Sequence, residues 1–275
     1  MKDKFSAVWL SHSSIRDYLK CPRAYFLRNM YKDPRTGHKI TVMTPPLALG
    51  QAVHEVVESL STLPVEDRLK EPLTEKLNQA WKKVEGEKGG FRDKEQEERF
   101  KEKGRAMLVK VEKNPGPILE KAIKIRQDLP HFWLSETDNI ILCGKIDWLK
   151  YIEEKDAVHI IDFKTGKVEE DADSLQLPIY KLLADNCQKK KVDGASYWYL
   201  QKDDEPVEVE LPDEDEAKET VLEIAKRVAL ARKVGRFVCK NKDGCAACIP
   251  LESVVAGKGE LVATSEYNQD IYILN

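Results

Sequence analysis

Asp162 and Lys164 stand two residues apart at the end of an apolar run, Ile160-Ile161-Asp162-Phe163-Lys164, that stops at Thr165-Gly166. Alternation along a strand puts both side chains on one face. An earlier strand-like run, Ile140 to Leu149, carries its own acid, Asp147, among apolar neighbours. Two neighbouring strands that each bring an aspartate to one edge can hold a hard divalent cation. A lysine beside that cation can orient a water or steady a developing negative charge. Acids that simply cap a hairpin share this pattern, so the residues around it must decide.

Gly50, His54 and Glu58 recur at four-residue spacing in Leu49 to Leu60, where Val53, Val56, Val57 and Leu60 mark the apolar stripe of a helix. His54 and Glu58 therefore share a face beside that stripe. Gln176 and Tyr180 repeat the spacing on a helix over 173–184 whose apolar face includes Leu175, Ile179, Leu182 and Leu183. Six cysteines are present, and four of them, Cys21, Cys239, Cys245 and Cys248, lie outside the strands and helices just named. Cys143 in a strand and Cys187 near a helix end read as packing.

The elements that must position these groups follow in order. Ser11 to Ser14 caps a helix, and Pro22 suits the first turn of the next, with Cys21 at the joint. Residues 31–46, with Pro34, Gly37, Pro45 and Pro46, read as loop. From Pro72 to about Gln127 the chain reads as charged helices broken near Gly86 to Gly90 and at Pro115-Gly116-Pro117. Strand signals over 131–134, 139–151 and 157–163 read as an antiparallel meander. Strands at 194–200 and 207–211 and a helix over 214–234 capped by Asp213 come next, while 251–275 shows little pattern beyond a final strand near 271–274.

The 275 residues suffice for a sizeable core, and 34% charged against 41% hydrophobic residues indicates a soluble globular protein. A net charge of −3 means that nucleic acid would have to be met by local basic patches. Lys189-Lys190-Lys191 and the Lys/Arg positions from Lys101 to Arg126 are candidates, the latter equally readable as a solvated helix face. No apolar run approaches the roughly 18 residues of a membrane span. The first residues lack a signal-peptide pattern, so a cytoplasmic setting is expected. In that setting cysteines are weighed as metal ligands before disulfides.

Taken in order, Gly50-x-x-x-His54-x-x-x-Glu58, Gly144-x-x-Asp147, Asp162-x-Lys164 and Gln176-x-x-x-Tyr180 resemble the motifs of the PD-(D/E)XK nuclease superfamily. More narrowly they resemble its RecB-like branch, which includes the nuclease domains of RecB and AddB and the iron–sulfur nucleases of CRISPR adaptation. The resemblance spans about residues 11–250 and implies an α/β fold. That fold has a restriction-endonuclease-like core, a central mixed β-sheet flanked by helices, in a single domain over 1–275. Within it, 62–127 would be a helical insert, 128–212 the catalytic sheet core, and 236–250 a cysteine segment folding back on Cys21. His54, Asp147, Asp162 and the Phe163 carbonyl would bind Mg2+ or Mn2+, and the imidazole accommodates manganese as well as magnesium. Lys164 would position the attacking water, and Gln176 and Tyr180 would place Lys164 or the DNA backbone. The implied activity is a metal-dependent DNA nuclease, an exonuclease or end-processing enzyme on single strands, in repair, recombination or CRISPR-type processing. A DNA- or partner-binding subunit that needs a complex, and an RNA-directed nuclease, are the alternatives.

Several members of the branch hold a 4Fe–4S cluster with one cysteine before the core and three after it. Cys21, Cys239, Cys245 and Cys248 match that count. The order departs from the family's, because the close pair Cys245/Cys248 comes last instead of first. A 4Fe–4S cluster, zinc and plain thiols are all compatible with this order. Trp133, Tyr197, Trp198 and Tyr199 could stack on bases or pack in the core. No helicase phosphate loop is present, so any unwinding would fall to a partner such as a helicase.

Overall fold

The computed structural model describes residues 3–274. A four-stranded sheet, β5 (Trp148–Ile152), β6 (Ala157–Lys164), β7 (Lys191–Tyr199) and β8 (Val207–Val209), forms the centre in that order. β6 is antiparallel to β5 and parallel to β7, while β8 returns antiparallel on β7. The parallel pair is joined by α6 (Gln176–Cys187), as parallel strands require a long crossover. β6 is buried along almost its whole length, which fits its near-continuous run of Val, Ile and Phe.

Alternate residues of β6 feed two cores. Ile161 and Phe163 pack, with Trp148 and Trp198, against α3 (Pro45–Leu60), α4 (Leu73–Trp81) and α5 (Lys94–Lys113). Val158 and Ile160 pack on the opposite face against α6 and α7 (Glu214–Val234). Asp162 and Lys164 continue this second parity, so the strand delivers them to the side on which α6 lies.

Two further sheets hold the flanks. β1 (Val8–Leu10) is parallel to β4 (Ile140–Cys143), which pairs antiparallel with β3 (His131–Ser135). The third sheet has β10 (Gln269–Ile273) between β2 (Lys39–Val42) and β9 (Glu260–Thr264). α1 (His12–Lys20), capped by the reciprocal Ser11/Ser14 box, and α2 (Pro22–Asn29) meet at Cys21. α8 (Ile249–Val255) follows the cysteine segment.

Four sequence expectations change here. The run 139–151 is two strands in different sheets, β4 and β5, because the chain breaks over Gly144 to Asp147. The meander therefore survives only as two separate hairpins. Residues 31–46 contain β2 and the start of α3, since β10 supplies the partner that makes Lys39–Val42 a strand. The helical insert ends at Lys113 and a short turn over Gly116–Leu119, after which the chain runs non-helically into β3. The tail holds α8 and β9 besides the final strand expected near 271–274, which is β10.

Candidate active site

The break between β4 and β5 is what presents Asp147. It lies just before β5, with its Oδ2 accepting the Phe163 backbone N–H at 3.1 Å. That bond ties the acid to β6 midway between Asp162 and Lys164. The Phe163 ring anchors the same point from below, its centroid 6.2 Å from that of Trp148 and 5.8 Å from that of Trp198.

α3 brings His54 and Glu58 over this junction. Gly50, one turn before His54, lets the helix approach the end of β6. A Cβ there would stand 3.3 Å from Thr165 Oγ1. His54 Nδ1 lies 3.0 Å from Glu58 Oε1 and 3.4 Å from Asp147 Oδ2. One donor atom from each of His54, Glu58 and Asp147 falls within 4.8 Å of the others, a spacing that a single metal ion can span.

Asp162 is buried, and its two oxygens are treated differently. Oδ1 accepts from Gln176 Nε2 at 2.7 Å. Oδ2 lies 2.9 Å from Lys164 Nζ, close enough for charge pairing but off the hydrogen-bond direction, and so has no hydrogen-bond partner. Gln176 links the pair, its Oε1 accepting from Lys164 Nζ in a short hydrogen bond. Its Nε2 also donates to Tyr180 Oη at 3.3 Å. Glu170 Oε1 is 3.1 Å from Lys164 Nζ, and the ammonium sits 4.9 Å over the Tyr197 ring. The lysine is thus held from four sides.

The electrostatics suit a cation. Asp147 is pushed up to about 8, chiefly by burial and then by the Asp162 carboxylate beside it. Burial also raises Asp162, against the pull of Lys164. For His54, burial disfavours the charge, but the Glu58 hydrogen bond and the Asp147 and Asp162 charges outweigh it and raise the imidazole to about 9. Tyr180 is held well above its ordinary value by burial and by the same two acids, so it stays a phenol. A protonated imidazole here partly neutralises acids that a divalent cation would satisfy. The imidazole and carboxylate donors, with an Asp162 Oδ2 that accepts no hydrogen bond, fit a divalent cation.

His54 and Asp147 thus meet in one donor group with Glu58, while Asp162, Lys164, Gln176 and Tyr180 form a bonded set beside it. Asp162, expected as a ligand, lies outside the group within 4.8 Å, and Phe163 stands between the acids. Glu58 stands in the helical motif but outside the ligand set expected from sequence, and the fold adds it. Glu170 and His12 carry no motif in the sequence. Glu170 sits in a polar stretch after Gly166 with no periodicity to mark it, and only the turn of the chain returns it to Lys164. His12 is lowered to about 4 by burial and then by Arg16 and Lys164, so it is a neutral imidazole beside the site. Tyr197, Trp198 and Tyr199 are buried and pack rather than offer stacking faces.

Two grooves flank the site. One, of about 520 Å³, is lined by Glu58, Asp147, Lys124, Arg126 and Lys145. The other, of about 440 Å³, is lined by His12, Arg16, Lys20, Glu170 and Ser174.

Away from the site, the Sγ atoms of Cys21, Cys239, Cys245 and Cys248 lie within 4.8 Å of one another, and none is in a disulfide. No helix among the described residues is long and apolar enough to cross a membrane. No curated protein matches the chain. A family model described as PD-(D/E)XK nuclease superfamily matches residues 9–250, the stretch that contains both sides of the site and all four clustered cysteines. The chain belongs to the PD-(D/E)XK nuclease superfamily, whose members are metal-dependent nucleases.

Proposed function

We propose that this chain is a Mg2+- or Mn2+-dependent DNA nuclease of the RecB-like branch that processes ends of single strands. The observation that carries the reading is Asp162. It is a buried carboxylate with one oxygen fixed by Gln176 and the other paired by charge with Lys164 but accepting no hydrogen bond, set beside the His54–Glu58–Asp147 group. A cation bound there would lower the pKa of a coordinated water and neutralise charge on the scissile phosphate.

The chain's own residues divide the remaining work. His54, Asp147 and Asp162 supply ligand atoms, with Glu58 as a fourth and the Phe163 carbonyl as a backbone donor. Lys164, oriented by Gln176 and Glu170, directs its ammonium to the attacking water or to the phosphate. Tyr180 keeps its phenolic proton and holds the Gln176 amide in place. A strand entering by one groove and leaving by the other crosses this point, with Lys124, Arg126 and Lys145 on one side and Arg16 and Lys20 on the other. Such local basic groups serve a phosphate backbone despite the overall charge of −3.

The test is degradation of end-labelled single-stranded DNA, beside an RNA of the same sequence, with Mg2+ or Mn2+. Wild type should shorten the DNA, and chelator or Asp162→Ala should abolish the activity. Cleavage of RNA alone would move the activity to the RNA-directed alternative. DNA binding without cleavage by wild type would favour the partner-dependent subunit.

A further inference from the structure

The four clustered thiols come from separate parts of the chain. Cys21 lies at the joint of α1 and α2, Cys239 follows α7, and Cys245 and Cys248 lead into α8. Cys21, Cys239 and Cys248 are buried, yet all four thiols are free. Their sulfurs lie within 4.8 Å of one another, with Cys245 and Cys248 at 3.8 Å. The turn that closes the group depends on Gly244, at φ +87°, where a Cβ would meet Cys248 Sγ at 3.4 Å and Ile249 Cγ1 at 3.0 Å.

That spacing separates two kinds of occupant. Around one tetrahedral ion with metal–sulfur bonds of about 2.3 Å, the sulfurs stand about 3.8 Å apart. In a 4Fe–4S cubane each thiolate binds a different iron. An iron–iron edge then separates every pair, and the sulfurs must spread much further. A cage with all four sulfurs within 4.8 Å fits one ion and leaves no room for four irons and four sulfides. The geometry therefore points to a single zinc ion held by Cys21, Cys239, Cys245 and Cys248, in place of the iron–sulfur cluster that the RecB-like resemblance implies.

The surroundings assign it a structural role. Ala24, Leu27, Ile40, Leu251, Val254 and Tyr272 pack around the thiols in one apolar cluster. Four protein ligands complete a tetrahedral site and leave no open position for substrate. The ion would fasten the α1–α2 joint to the segment after α7, while α8 packs on α2 and β2. β2 in turn pairs with β10 and leads into α3, the helix of His54. This inference does not depend on the nuclease reading, since the thiols lie in a separate cluster from the site acids.

The test is metal and sulfide analysis of full-length protein purified anaerobically without added metal. It should be colourless, carry about one zinc per chain and contain no acid-labile sulfide. Titrating the thiols of wild type with an organomercurial should release that zinc. Cobalt substitution should give the visible bands of a tetrahedral thiolate site. Cys245→Ser, at the most exposed of the four positions, should lose most of the zinc and melt ~10 °C lower, as expected when a site that supplies folding energy is opened. A brown protein with about four irons and four labile sulfides per chain would overturn the inference. So would a folded wild type that holds no metal.

Discussion

At the residue scale, His54 holds its proton among three acids. His54 stands between Glu58 and Asp147, and its raised imidazole carries a charge that a cation would otherwise bring. Asp147 has the opposite problem, because its folded value of about 8 lies far above its ordinary 3.8. The folded chain therefore keeps a proton on Asp147 that the unfolded chain releases. Asp147 accordingly contributes stability below about pH 4 that is lost as pH rises through about 8. In EDTA, Asp147→Asn should melt higher than wild type by of order 5 °C at pH 8, a gap that shrinks toward acid pH. The same variant should fail to bind Mn2+. Thermal melts across pH check this, and a variant that melts below wild type throughout would contradict it. Lys164 makes a different demand, since in the proposed function its charge acts on the reacting atoms. Lys164→Ala should lower the single-turnover rate by about 10³-fold with little change in DNA affinity. Gln176→Ala, which removes the amide that orients Lys164 and bonds Asp162 Oδ1, should cost about 10- to 100-fold. A Lys164→Ala enzyme that keeps a tenth of the rate would remove the lysine from the chemistry.

At the element scale, the site depends on α3 resting against the end of β6, and Gly50 is the contact point. Gly50→Val places a branched side chain where a Cβ alone already stands 3.3 Å from Thr165 Oγ1. Lifting the helix by a fraction of an ångström would move His54 and Glu58 together. The expected result is a loss of about 10- to 100-fold in rate and weaker Mn2+ binding, with the overall fold retained by circular dichroism. Unchanged Mn2+ affinity would show that α3 does not set the ligand geometry. The same element shows what sequence can and cannot carry. The four-residue spacing of Gly50, His54 and Glu58 marks one helix face, so their grouping was legible. Asp162 and Lys164 were legible too, because strand alternation is local. Asp147 is legible as an acid in an apolar run, but its setting is not, since such a run does not reveal that the chain leaves one sheet at Cys143 and enters another at Trp148. β1, β2 and β9 are not legible either. β1 and β2 are short segments made strands by distant partners, β4 and β10, while β9 is a half-exposed strand that pairs with its sequence neighbour β10. Glu170 and His12 reach Lys164 only through tertiary folding, with no motif to announce them.

At the scale of the whole molecule, β6 is a partition. One face anchors the helices of α3, α4 and α5, the other those of α6 and α7, and the site forms where the strand emerges between them. His54 and Glu58 arrive from one core, Gln176 and Tyr180 from the other, and Asp147 from the gap between two sheets. The two grooves beside the site carry Lys124, Arg126 and Lys145 in one and Arg16 and Lys20 in the other, the basic groups that the proposed path of a strand would use. The thiol cluster stands apart and ties the first two helices to the segment after α7. In the proposed function these elements build one metal site whose occupancy permits cleavage. The most direct measurement follows Mn2+ binding by electron paramagnetic resonance and cleavage of end-labelled single-stranded DNA in the same titration, for wild type and Asp147→Ala. Wild-type cleavage should rise in step with bound Mn2+, and Asp147→Ala should show neither tight binding nor cleavage. An Asp147→Ala protein that cuts DNA at the wild-type rate, or wild-type cleavage that persists with no Mn2+ or Mg2+ bound, would contradict the account.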